Sequence, residues 1–163
     1  MKKLLILPFA LLFSVCLQAQ DYTIESNEVK IIKEIQFKTG SAELLTESDE
    51  ALLIIKKYLD DKSYISLLRV EAHTDNSGNE DANQTLSEQR ALAVCKRLVV
   101  LGVDCKRLLP VGFGSTKPVA DNSTPMGKAE NRRISFINAK LRGILIGGMP
   151  ADGGGKEAGD PCN

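Results

Sequence analysis

The sequence predicts an α+β two-layer sandwich: a mixed four-stranded sheet of βαβαββ type with helices on one face. Three observations carry this. Short runs of alternating apolar residues recur along the chain, amphipathic stretches at helical spacing lie between them, and turn residues mark the junctions. At 163 residues with 43% hydrophobic content, the chain can bury one core and carry short appendages.

Met1-Lys2-Lys3 followed by apolar Leu4 to Val15 and by Leu17-Gln18-Ala19 reads as a signal peptide over residues 1–19. The run is shorter than the roughly 20 residues a membrane span needs, so the mature chain is expected to carry no transmembrane segment. Cys16 raises a lipoprotein alternative, but Val15 stands where a lipobox wants a small residue. Residues 20–30 are polar and read as a lead-in, 31–140 as the folded domain.

Within the domain, Ile31 to Phe37 predicts a first strand, with Ile31, Ile35 and Phe37 on one face. Thr39-Gly40-Ser41 turns the chain, and Thr46 is placed to cap a helix carrying Leu52, Ile55 and Leu59 that stops near Asp60-Asp61. Ile65 to Thr74 alternates as a second strand. Asn76-Ser77-Gly78 breaks it. Thr85, with Glu88 at the capping-box distance, predicts the start of a second helix along Ala91, Val94, Leu98 and Leu101, ended by Gly102. Arg107 to Val111 and Asn131 to Asn138 complete the sheet, with Ile134 and Phe136 inward. Residues 141–163 form a Gly-rich C-terminal tail. Its composition predicts flexibility, while Ile144-Leu145-Ile146 could add to a sheet edge or meet a partner.

Composition narrows the functions. Lys+Arg and Asp+Glu both number 21, which leaves no global field for a polyanion and argues against nucleic acid. The single histidine, His73, rules out His-pair metal sites. No nucleophile is spaced beside it, so catalysis is not expected and the ring serves to buttress the turn. Cys95 and Cys105 lie too far apart for a Cys-x-x-Cys metal site. The chain turning back after Gly102 can bring them into disulfide reach, leaving Cys162 free; two buried thiols are the alternative.

Asp75, at a strand end, and Arg90, in the following helix, suit a zwitterion. The carboxylate can take an ammonium and the guanidinium can grip a carboxylate. Taken singly, Asp75 could instead cap its own turn, and Arg90 could be a solvated helix charge.

The blocks His73-Thr74-Asp75-Asn76-Ser77-Gly78, Leu86-Ser87-Glu88-Gln89-Arg90-Ala91, Gly112-Phe113-Gly114 and Asn131-Arg132-Arg133 occur in order, preceded by Phe37-Lys38-Thr39-Gly40. This pattern resembles the OmpA-like C-terminal domain, a peptidoglycan-binding module, over roughly residues 30 to 138. The resemblance implies an exported, non-enzymatic protein of the Gram-negative envelope, periplasmic and associated with the cell wall or outer membrane, that needs no cofactor. It further implies that Asp75 and Arg90 hold the diaminopimelate side chain of a stem peptide, with Asn83 and Arg132 lining the pocket and Ser77 and Gly40 on its rim. Ala72 and Lys38 depart from the usual Gly and acid. No alternating ten-residue segments precede Ile31, so no attached β-barrel is expected. A scaffold whose tail recruits an envelope protein, or a small hydrolase, are the competing classes.

Overall fold

The computed structural model describes residues 21–148 and 152–163, so the expected signal peptide lies outside the described residues. The chain runs through β1 (Tyr22–Glu25), β2 (Glu28–Ile31), α1 (Ser48–Asp61), β3 (Ile65–His73), α2 (Glu80–Val100), a 3-10 turn (Cys105–Arg107), β4 (Leu108–Gly114), α3 (Pro125–Asn131), β5 (Ile134–Leu141), β6 (Ile144–Leu145) and β7 (Lys156–Glu157).

The α+β class holds, but the sheet has seven strands where four were expected. Their order is β1-β2-β5-β3-β4-β7, with β6 paired to β5. Only β3 and β4 are parallel, joined by α2 as a βαβ crossover; the other pairings are antiparallel. Around β2-β5-β3-β4, β1 extends the β2 edge, β7 extends the β4 edge, and β6 pairs with the end of β5.

The period of two along β3 decides the core. Leu68, Val70 and Ala72 are fully buried toward the helices. Leu52, Ile55 and Leu59 of α1 meet Val94 and Leu98 of α2 and Phe136 of β5 in the same cluster. Tyr58 is also fully buried, its hydroxyl 2.8 Å from Asn138 Oδ1, which satisfies the polar tip. Arg97 of α2 pairs in fork geometry with Asp49 in the first turn of α1, which fixes the two helices against each other. Arg107 donates to the Leu59 and Ile65 carbonyls, covering backbone acceptors near the end of α1 and at the start of β3.

Several local expectations give way. The predicted first strand breaks: pairing ends at Ile31, and Phe37 makes only an isolated bridge to Leu44. Glu47, not Thr46, precedes α1, with no side-chain cap. α2 begins at Glu80, capped by Asn79, whose side chain accepts from the Ala82 N–H at 3.0 Å, so Thr85 lies inside the helix. The helix α3 was not predicted.

The expected Cys95–Cys105 bridge is corrected. Cys95 is a free, fully buried thiol on the core face of α2, and Cys105 on the 3-10 turn bonds Cys162 instead, with 5.2 Å between the Cα atoms. A side chain turned into the core cannot also reach an outward-facing turn. The C-terminal segment is likewise held: β7 pairs with Val111–Gly112, the Ala158 N–H donates to the Pro110 carbonyl, and Cys162 closes the end. Ile144–Leu145 forms β6, which pairs with the end of β5 and not with an edge strand of the sheet.

Candidate functional site

Asp75 follows β3 by two residues, and its position is fixed from three sides. The His73 N–H donates to the Arg133 carbonyl at 3.0 Å, the Thr74 N–H donates to the Gly114 carbonyl at 2.8 Å, and β3 itself lies between β4 and β5. Asp75 is 8% exposed. Its Oδ1 accepts the Ser77 N–H at 2.8 Å, the Asx turn expected of an Asp at such a junction, and its Oδ2 accepts Arg132 Nη1 at 2.6 Å. Burial works to raise the Asp75 pKa, but Arg132 and the Ser77 donors outweigh it and hold the carboxyl below its ordinary range. Asp75 is therefore an ionised acceptor at neutral pH.

Arg132 reaches Asp75 because Asn131 locks the end of α3. The Asn131 side chain is fully buried; it accepts the Val119 and Ala120 N–H groups and donates to the Ala120 carbonyl. Arg133 donates to the Lys117 carbonyl at 3.2 Å. The Asn-Arg-Arg run thus works as anchor, ligand to Asp75, and brace. Thr124-Pro125 starts α3 with a Thr cap and a Pro in its first turn, the signal that could have revealed this helix in the sequence.

Arg90 does not touch Asp75. From the third turn of α2 its Nε donates to the Ser41 carbonyl at 2.9 Å, and its guanidinium lies 4.9 Å from the Phe37 ring centroid. These contacts hold the turn that contains Gly40, whose φ is +65°. Among the described residues, the two terminal nitrogens of Arg90 have no hydrogen-bond partner. Burial, with the Arg132 charge second, lowers the Arg90 pKa. Asn83 braces the turn from below, donating to the Ser77 carbonyl at 2.8 Å and toward the Asp75 carbonyl at 3.4 Å.

Hydrogen bonds link Asp75, Ser77, Asn83 and Arg132 around an Asp75–Arg132 pair, while Arg90 contacts the Ser41 carbonyl and the Phe37 ring instead. Sequence reasoning missed Lys128, whose Nζ lies 3.0 Å from Ser77 Oγ. Two shallow depressions adjoin this rim. One of about 480 Å³ is lined by Gly40, Asn83, Leu86 and Gln89, and one of about 530 Å³ by Ile35, Glu130, Arg132 and Ile134.

The glycines of Gly112-Phe113-Gly114 serve packing. A Cβ on Gly112 would lie 2.6 Å from Ser87 Oγ and also meet the backbone of Glu88, so α2 crosses β4 at a distance only Gly permits. Ser87 Oγ accepts the Gly114 N–H at 2.8 Å. His73 is buried, stacked on Phe113 with centroids 5.2 Å apart and 3.4 Å from Glu71 Oε2. It lies on the opposite face of β3 from Ala72, as a buttress.

The protein is thus an α+β domain with a polar rim at its strand-end loops. The OmpA family model matches residues 36–132, and the chain belongs to the OmpA family. It is 40% identical over 97 residues to the outer-membrane lipoprotein YfiB of Pseudomonas aeruginosa, covering 60% of this chain and 53% of that one. It is 44% identical over 68 residues to the peptidoglycan-binding protein ArfA of Mycobacterium tuberculosis, covering 42% of this chain and 21% of that one. Among solved structures, the cell wall anchor of the T6SS from Pseudomonas aeruginosa matches with a TM-score of 0.60 and 29% identity, over 72% of this chain and 86% of that one. The chain spans about half the length of its lipoprotein relatives. No helix among the described residues is long and apolar enough to cross a membrane.

Proposed function

We propose that this protein is a non-enzymatic component of the bacterial cell envelope that binds peptidoglycan through the diaminopimelate residue of the stem peptide. Family membership and a relative named as peptidoglycan-binding support the coarser part of this reading. The finer part is supported by one observation: an ionised, nearly buried carboxylate at the end of β3 is paired with Arg132, while the terminal nitrogens of Arg90 on α2 are left without a hydrogen-bond partner among the described residues.

The side-chain end of diaminopimelate carries an ammonium and a carboxylate on one carbon. In the proposed complex the ammonium sits against Asp75, using lone pairs left over by Arg132 and Ser77. The ligand carboxylate takes the unpaired nitrogens of Arg90 and draws Arg132 into a shared contact. Asn83 and Ser77 hold the Asp75 turn in shape, and Gly40 gives the turn held by Arg90 its positive φ. The ligand thus exchanges one internal ion pair for two external ones, so the gain per site is modest. Retention on the wall arises from many sites along one polymer.

The test is equilibrium binding to purified sacculi that contain diaminopimelate and to sacculi that contain lysine at the same position. Lysine lacks the side-chain carboxylate, so binding should weaken by roughly tenfold or more, the scale of a lost charge-assisted contact. Equal binding to both would remove diaminopimelate as the recognised group.

A further inference from the structure

Lys128 of α3, four residues before Arg132, is half-buried and sets its Nζ 3.0 Å from Ser77 Oγ. Glu130 and Asp81 line the adjoining depressions, yet among the described residues Lys128 forms no ion pair with either or with any other carboxylate. The Ser77 backbone N–H donates to Asp75, which pairs with Arg132, so Lys128 is joined through Ser77 to the residue that forms the proposed ammonium seat. A diaminopimelate terminus bound at Asp75 and Arg90 leaves the Lys128 ammonium without an anionic partner.

Resting on the peptidoglycan reading above, we propose that Lys128 and Ser77 form a second anion subsite that recognises the free α-carboxylate of the γ-linked glutamyl residue preceding diaminopimelate in the stem. That residue continues the peptide through its side-chain carboxyl, which leaves its α-carboxylate ionised unless it is amidated. The Lys128 ammonium and the Ser77 hydroxyl, 3.0 Å apart, can both donate to it. Lys128 is then a specificity residue that separates stem peptides with a free glutamate from amidated ones. Lysine suits this role because its long stem lets a point charge follow a flexible ligand, whereas Arg132 is committed to Asp75.

The experiment titrates the full chain with two synthetic stem peptides, both containing meso-diaminopimelate, one with a free glutamyl α-carboxylate and one with its amide. Wild type should prefer the free acid by roughly fivefold, the scale of a partly exposed charge contact. Lys128→Met keeps the aliphatic stem and should bring the ratio to about one, while Lys128→Arg should preserve it. If wild type binds both peptides equally, or if Lys128→Met keeps the preference, the subsite is wrong and the diaminopimelate site stands. If wild type binds neither peptide, both fall together. Circular dichroism of each variant separates these results from misfolding.

Discussion

Arg132 Nη1 lies 2.6 Å from Asp75 Oδ2, an ion pair across 57 residues of sequence that ties the end of α3 to the end of β3. Because one partner is nearly buried and the other half-exposed, the pair orders the rim more than it stabilises the fold.

Its pH dependence follows from sign. The folded Asp75 pKa lies below the unfolded value, so this contribution is fully present above about pH 4 and is lost as pH falls through the folded value. Asp75→Asn should therefore flatten the acid limb of stability. Urea midpoints measured from about pH 6 down to about pH 3 should diverge less for the variant than for wild type.

His73 behaves in the same direction at higher pH. Burial lowers its pKa, against Glu71, with Arg133 and Lys117 adding to the lowering. The folded chain keeps the ring neutral while the unfolded chain protonates it near pH 6.5. Stability should thus decline as pH falls below about 6.5 and toward the folded value. In His73→Phe, which keeps the stack on Phe113, that part of the pH slope should disappear in chemical denaturation.

Gly112 tests the packing of α2 on β4. A methyl there must displace Ser87 or the Glu88 backbone, so Gly112→Ala should destabilise by about 1–3 kcal/mol. Thermal unfolding would read this as a clear fall in Tm, and an unchanged Tm would mean the helix can shift at no cost.

The disulfide closes 57 residues of chain, worth about 4 kcal/mol in the chain-entropy model. Cys162→Ala, or reduction, should lower the denaturation midpoint. It should also raise hydrogen exchange along Val111 and Gly112, where β7 covers the β4 edge. Protection that survives reduction would assign the hold to β7 alone.

What could be read from the sequence was whatever local pattern decides. Leu68, Val70 and Ala72 alternate, so β3 was visible; Leu52, Ile55 and Leu59 repeat at helical spacing, so α1 was visible. The start of α2 was missed because Glu80 to Thr85 carry almost no apolar residues, and only the Asn79 cap marks the true beginning. Cys105 was matched to its neighbour in sequence because nothing local points to a partner 57 residues away. Glycines at 153–155 read as loose chain, yet pairing with β4 and a covalent end hold that segment by tertiary contacts. Asp75 pairs with Arg132 and not with Arg90, and that contact depends on a seven-residue helix the periodicity does not reveal.

The most direct test of the account is sedimentation of the full chain, Asp75→Ala, Arg90→Ala and Arg90→Lys with isolated diaminopimelate-type sacculi, with circular dichroism confirming the fold. Asp75→Ala and Arg90→Ala should each lose about 2 kcal/mol or more of binding, roughly thirtyfold, because each leaves one end of the zwitterion unmatched. Arg90→Lys should recover little, since an ammonium cannot reproduce the planar fork. If the folded alanine variants sediment with the wall as fully as wild type, the rim around Asp75 is not where this protein holds peptidoglycan.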